Sequence, residues 1–133
     1  MTILGNGSVG IGTIQFSSDA RAYNFNIYGG STFSLSGNGI VNYGSQAQNF
    51  QVQNATLRFH NSASAGDSLI TYALNSSLGV IEFTGNSTAG SANFATAYSG
   101  QLVFKDSAFA DDVAKINMAA ILNQNGLFDV RSL

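Results

Sequence analysis

The chain has 133 residues, 44% of them hydrophobic and 9% charged, with a formal net charge of −2. That length makes one domain, and the acidic balance argues against nucleic acid, which demands a basic footprint. Cysteine and proline are both absent. There is therefore no disulfide framework or thiolate metal site, and proline interrupts no hydrogen-bond ladder.

Residues 1–11 carry Ile3, Leu4, Val9 and Ile11 in a glycine-rich frame, enough for a partial coil. They lack the basic start and long apolar stretch of a signal peptide. From residue 12 a five-residue phrase, small–x–apolar–x–apolar, occurs six times: Gly12-Thr13-Ile14-Gln15-Phe16, Ser31-Thr32-Phe33-Ser34-Leu35, Ala55-Thr56-Leu57-Arg58-Phe59, Gly79-Val80-Ile81-Glu82-Phe83, Gly100-Gln101-Leu102-Val103-Phe104 and Gly126-Leu127-Phe128-Asp129-Val130. The phrase starts lie 19, 24, 24, 21 and 26 residues apart. A period in the twenties built on short alternating strands predicts a solenoid. Ten Phe and five Tyr in regular alternation argue against disorder.

Within each phrase the third and fifth residues face a core and the fourth faces solvent. Stacking the phrases predicts two inward columns. One is Ile14, Phe33, Leu57, Ile81, Leu102 and Phe128, and the other is Phe16, Leu35, Phe59, Phe83, Phe104 and Val130. Arg58 and Glu82 share the outward column on adjacent rungs, so their side chains should meet. A second apolar stretch per coil, at 23–28, 49–54, 68–74, 93–98 and 115–121, reads as a strand on another face. Gly29-Gly30, Asn54, Leu78-Gly79, Ser99-Gly100 and Asn125-Gly126 punctuate the corners, where Gly and Asn tolerate left-handed backbone. The stretch at 115–121 is read as strand. Val113, Ile116, Ala120 and Ile121 nevertheless have helical spacing, which leaves a short helix within 107–124 as the alternative.

The expected fold is all-β: a right-handed parallel β-solenoid, or β-helix, of about five to six coils. It forms a single domain over 1–133, with 1–11 as a partial first coil or N-terminal edge, 12–130 as repeats and 131–133 as the C-terminal end. Residues 59–70 (Phe59-His60-Asn61-Ser62-Ala63-Ser64-Ala65-Gly66 onward) align with 83–94 (Phe83-Thr84-Gly85-Asn86-Ser87-Thr88-Ala89-Gly90 onward), and 104–111 form a looser third copy. This motif resembles the repeats of bacterial autotransporter passenger regions. The resemblance implies a right-handed β-helix exported to the cell surface, and says little about activity. The chain is short for a passenger and shows no membrane barrel.

Candidate chemistry is sparse. The acids are Asp19, Asp67, Glu82, Asp106, Asp111, Asp112 and Asp129. Asp67 and Asp112 fall two coils apart, ~10 Å at ~4.8 Å per rung, with Ser91 between them. That span is near an inverting carboxylate pair, but no water-positioning partner accompanies it, so the acids read as solvated turn residues. His60, the single histidine, cannot make a zinc site alone. The glycines at 5–12 complete no phosphate-binding motif. Thr13, Thr32 and Thr56 share a column that continues Val80, Gln101 and Leu127, which reads as a structural ladder and not an ice-binding lattice. No run reaches the ~18 apolar residues of a membrane span.

The expected role is a non-catalytic structural rod of an extracellular or bacterial cell-surface protein, spacing or displaying an adhesive part and needing no cofactor. Two alternatives stand beside it. One is a head-to-tail fibre subunit whose partner is its own copy, joined through an exposed terminal edge at 127–130. The other is a module that grips host glycan or protein with Tyr28, Tyr72 and Tyr98. A polysaccharide-degrading enzyme is the least favoured.

Overall fold

The computed structural model describes residues 2–3, 7–75, 78–96, 100–110, 115–117, 120–124 and 127–128. In chain order the strands are β1 (Thr2–Ile3), β2 (Ser8–Phe16), β3 (Asn24–Tyr28), β4 (Thr32–Asn42), β5 (Gln48–Gln53), β6 (Thr56–Phe59), β7 (Ile70–Leu74), β8 (Val80–Phe83), β9 (Asn93–Thr96), β10 (Gln101–Lys105), β11 (Phe109–Ala110), β12 (Lys115–Asn117), β13 (Ala120–Gln124) and β14 (Leu127–Phe128). The strands form two six-stranded sheets, β1-β3-β5-β7-β9-β12 and β2-β4-β6-β8-β10-β13, which alternate along the chain as far as β10. Every pairing is parallel. A third, narrow face is made by single bridges at Gly39, Ser64, Thr88 and Phe109, continued by β11 with β14. The fold is thus a parallel β-solenoid. It has about four complete turns between shorter rungs at either end, slightly fewer than the five to six coils expected.

The region 107–124 holds strands and no helix among its described residues: β11, β12 and β13. Pairing of β12 with β9 and of β13 with β10 supplies hydrogen bonds that outweigh a weak helical spacing, as tertiary context commonly does.

Phe33, Leu57, Ile81 and Leu102 stand in register in the second sheet, as do Leu35, Phe59, Phe83 and Phe104, all buried. The ends differ from the sequence expectation. Val9 and Ile11, not Ile14 and Phe16, pair with Phe33 and Leu35. Ile14 and Phe16 lie past the corner, opposite Ile40 and Asn42, because β4 carries extra residues between its partners of Ile11 and Thr13. Thr13 therefore opposes Gly39 and leaves the threonine column. At the other end Ile121 and Asn123 occupy the register positions after Leu102 and Phe104, while Phe128 pairs with Ala110 on the third face. Val130 falls outside the described residues.

The interior is built from two ladders of rings. In the first sheet Phe25, Phe50, Tyr72 and Phe94 stack at centroid spacings of 4.6, 5.2 and 4.9 Å. In the second, Phe59, Phe83 and Phe104 stack at 5.0 and 4.9 Å with planes 10° apart. These spacings are those of the rungs, ~4.8 Å, so strand pairing sets the ring stacking. The ladders meet edge to face, Phe59 against Tyr72 at 89° and Phe83 against Phe94 at 78°, a favourable aromatic geometry.

Packing at the corner explains the glycine that opens the fifth phrase. A side chain at Gly100 would place its Cβ 2.7 Å from that of Leu74, so the Leu74 side chain leaves no room there. After the second sheet, Asn61, Gly85 and Asp106 form a column with φ of 59°, 66° and 58°, the left-handed turn that Asn, Asp and Gly tolerate best. The coil also shortens along the axis. Thr56 is followed by Val80, Gln101 and Ala120 in register, so the period falls from 24 to 21 to 19 residues.

Candidate functional site: a charged groove on the second sheet

On the outward side of the second sheet, Ser34, Arg58, Glu82 and Val103 form one column in register. One pleat further along, His60, Thr84 and Lys105 form a second, each following an inward ring of the Phe59–Phe83–Phe104 ladder. Period-two alternation places both columns on the same face. Between them lies a groove of about 530 Å³, rimmed at the corner by Asp106.

Glu82 organises the groove. Its Oε1 accepts from Arg58 Nε and its Oε2 from Lys105 Nζ, both at 2.7 Å. The Arg58–Glu82 meeting across adjacent rungs is the one expected from the repeat. The Lys105 arm is diagonal and was not anticipated. Glu82 is only 8% exposed. Burial, the largest single influence, opposes its charge, but the hydrogen bonds and charges of Lys105 and Arg58 together prevail and hold the carboxyl below its ordinary range. Arg58 and Lys105 remain over a third exposed at their side chains.

The tyrosines separate. Tyr28 ends β3 half-buried on the outward side. Tyr72 is not on a binding face: it is fully buried in the first-sheet ladder, and its hydroxyl donates to the Ala65 carbonyl at 2.6 Å. Ile70, Tyr72 and Leu74 alternate inward, so the tyrosine serves as a core ring with a polar handle and not as a surface aromatic. Tyr98 lies outside the described residues. The exposed tyrosines among the described residues are Tyr23 and Tyr43, in the loops at 17–23 and 43–47.

Other candidates resolve as turn chemistry. Asp67 accepts from the Leu69 amide at 2.9 Å. Asp19 accepts from the Ser17 hydroxyl at 2.6 Å, which lowers its pKa. Asp111, Asp112 and Asp129 lie outside the described residues. No group of three or more His, Cys, Asp or Glu side chains among the described residues is placed to hold a metal. Gln48, fully buried, was missed by the sequence reading. Its amide accepts from the Tyr23 amide and donates to the Arg21 carbonyl, pinning the 17–23 loop to β5. An amide step from Asn49 to Asn24 lines the first sheet's outward edge.

A second feature lies at the N-terminal end. Val9 is 51% and Ile11 37% exposed, and with Ile14, Phe16, Tyr23, Phe25 and Phe33 they line an apolar mouth of about 490 Å³.

The class defined by these observations is a parallel β-solenoid with a charged groove on the outward side of its second sheet. No family model matches the chain, and no curated protein and no solved structure is significantly similar to it.

Proposed function

We propose that the chain is a non-catalytic structural rod, a β-solenoid segment of a secreted or surface-exposed bacterial protein that spaces or displays what it is joined to. The observation that supports this reading is the double ring ladder, which repeats through the central turns with each ring stacked on the next. Such stacking ties each turn to its neighbours, so the rod resists local opening along its length. Autotransporter-type repeats at 59–70 and 83–94 support the surface location.

The test is to lengthen the rod. Duplicating residues 56–79 inserts one coil of native period. Small-angle scattering should show growth by about 4.8 Å, with thermal stability kept and resistance to thermolysin retained. Collapse of the elongated variant, or ready cleavage within β5 to β9 of wild type, would defeat the rod. Release of reducing ends from a polysaccharide by wild type, lost in Glu82→Gln, would replace it with an enzyme.

A second reading, head-to-tail assembly, is favoured by the apolar mouth. Val9 and Ile11 hold column positions with no neighbouring rung among the described residues on their outer side, and β2 presents a nine-residue parallel edge there. A copy's β12 and β13 would continue both sheets in the same direction. Electron microscopy at rising concentration should then show filaments that Val9→Lys with Ile11→Lys removes. Filaments unaffected by that pair, or a monomer at every concentration, would dismiss this reading.

A further inference from the structure

We propose that the groove on the second sheet is a binding site for an acidic saccharide, a sugar chain bearing carboxylate or sulfate. The inference goes beyond the structural role, since a rod needs no such groove and a failure here leaves that reading intact. It starts from a count of unspent hydrogen-bonding capacity. Both oxygens of Glu82 are taken by cations. Arg58 gives that pair its Nε, so the terminal fork of its guanidinium has no partner among the described residues. Lys105 spends one donor on Glu82 and has two more. The hydroxyls of Ser34 and Thr84, on the same wall, have no hydrogen bond among the described residues.

The wall therefore carries a surplus of donors, two of them cationic and held in place by a buried carboxylate. A planar guanidinium fork matches an oxyanion in bidentate fashion. The rim adds the complementary chemistry. Asp106 uses one oxygen to accept from the Gly85 amide at 3.1 Å and retains acceptor capacity for a hydroxyl. His60 lines the same groove from the far end of the column of Thr84 and Lys105, two rungs from Lys105. A ligand carrying an oxyanion beside several hydroxyls satisfies both sides, and a volume of about 530 Å³ is within the range of small-ligand clefts. The salt bridges alone account for Arg58, Glu82 and Lys105, but not for the free hydroxyls and the imidazole converging on the same space. The first sheet's outward columns run Asn24, Asn49, Thr71, Asn93, Lys115 and Asn26, Gln51, Ala73, Ala95, Asn117 in register, one lysine among amides and small residues and no carboxylate in either column.

The test titrates wild type by calorimetry with three trisaccharides of matched length: a uronate oligomer, a sulfated oligomer and a neutral hexose oligomer. Binding of either acidic oligomer at about 1 mM or tighter, weakened by added salt, with none for the neutral one, is the expected result. Binding of the uronate alone would assign a carboxylate site, and of both a general oxyanion site. Arg58→Lys, which keeps the charge and removes the fork, should weaken binding at least about tenfold. Arg58→Met with Lys105→Met should abolish it, with circular dichroism confirming the fold. If the double variant unfolds, Ser34→Val with Thr84→Val replaces it and should weaken binding severalfold. Equal binding of the neutral oligomer, retention of affinity in a folded Arg58→Met variant, or no binding at low salt would overturn the proposal.

Discussion

At the scale of the residue, two rings carry the clearest consequences. Phe83 lies 5.0 Å from the Phe59 ring and 4.9 Å from that of Phe104, edge-on to Phe94, and is fully buried. Phe83→Ala removes that burial and leaves a cavity that strand pairing on both sides cannot close, so it is expected to cost about 3–5 kcal/mol in chemical denaturation. A variant within about 0.5 kcal/mol of wild type would take Phe83 out of the ladder. Tyr72→Phe keeps the ring and orphans the buried Ala65 carbonyl, for a loss of about 1–2 kcal/mol. Burial, and then the charge of Asp67, push the Tyr72 phenol well above its ordinary value. A raised pKa means stability present at neutral pH and lost as the unfolded phenol ionises above about 10. Tyr72→Phe should therefore lose less stability than wild type over that alkaline climb, as thermal melts across the range will show.

At the scale of the element, the corners and the ion bridge decide which sequences stack. Gly90 has φ of 59°, and a Cβ there would lie 2.3 Å from the Gly66 carbonyl oxygen of the preceding turn. Gly90→Ala should lose about 1–3 kcal/mol from backbone strain alone, with a further penalty as two turns are pushed apart. An unchanged melting temperature would mean that the third face is not packed as described. Glu82 joins β6, β8 and β10 through Arg58 and Lys105. Its lowered pKa makes the contribution present above the ordinary carboxyl range, near 4.3, and lost as pH falls through the depressed value. Glu82→Gln should thus be less stable than wild type by about 1 kcal/mol at neutral pH, with the partly exposed cations limiting the effect. The two proteins should converge in acid, and a gap in melting temperature that stays constant down to about pH 2 would show that the pair contributes nothing.

At the scale of the whole molecule, the two ends are unlike. The coil narrows from 24 to 19 residues toward β13, and Asn123 takes the register position that Leu35, Phe59, Phe83 and Phe104 hold in earlier rungs. The opposite end keeps apolar Val9 and Ile11 exposed in that same column arrangement. The head-to-tail reading proposed above uses this N-terminal mouth, so the lysine pair at Val9 and Ile11 separates a spacing rod from a fibre subunit.

How far the chain could be read as a linear text follows from what its periodicities encode. Alternation and a coil period in the twenties are both properties along the chain. They sufficed for the parallel solenoid, for the inward columns from Phe33 and Leu35 to Leu102 and Phe104, and for the Arg58–Glu82 contact. Alternation is blind to which of two apolar pairs enters a ladder. Val9/Ile11 and Ile14/Phe16 alternate equally well, and only the extra residues in β4 decide between them. The last rung escaped for the opposite reason, since Asn123 breaks the apolar pattern while the backbone of β13 still pairs. The burial of Tyr72 and the convergence of His60, Thr84, Lys105 and Asp106 on one groove were likewise decided in three dimensions. Pairing between coils brings together residues more than twenty positions apart, and no signal along the chain records which side chains then share a space.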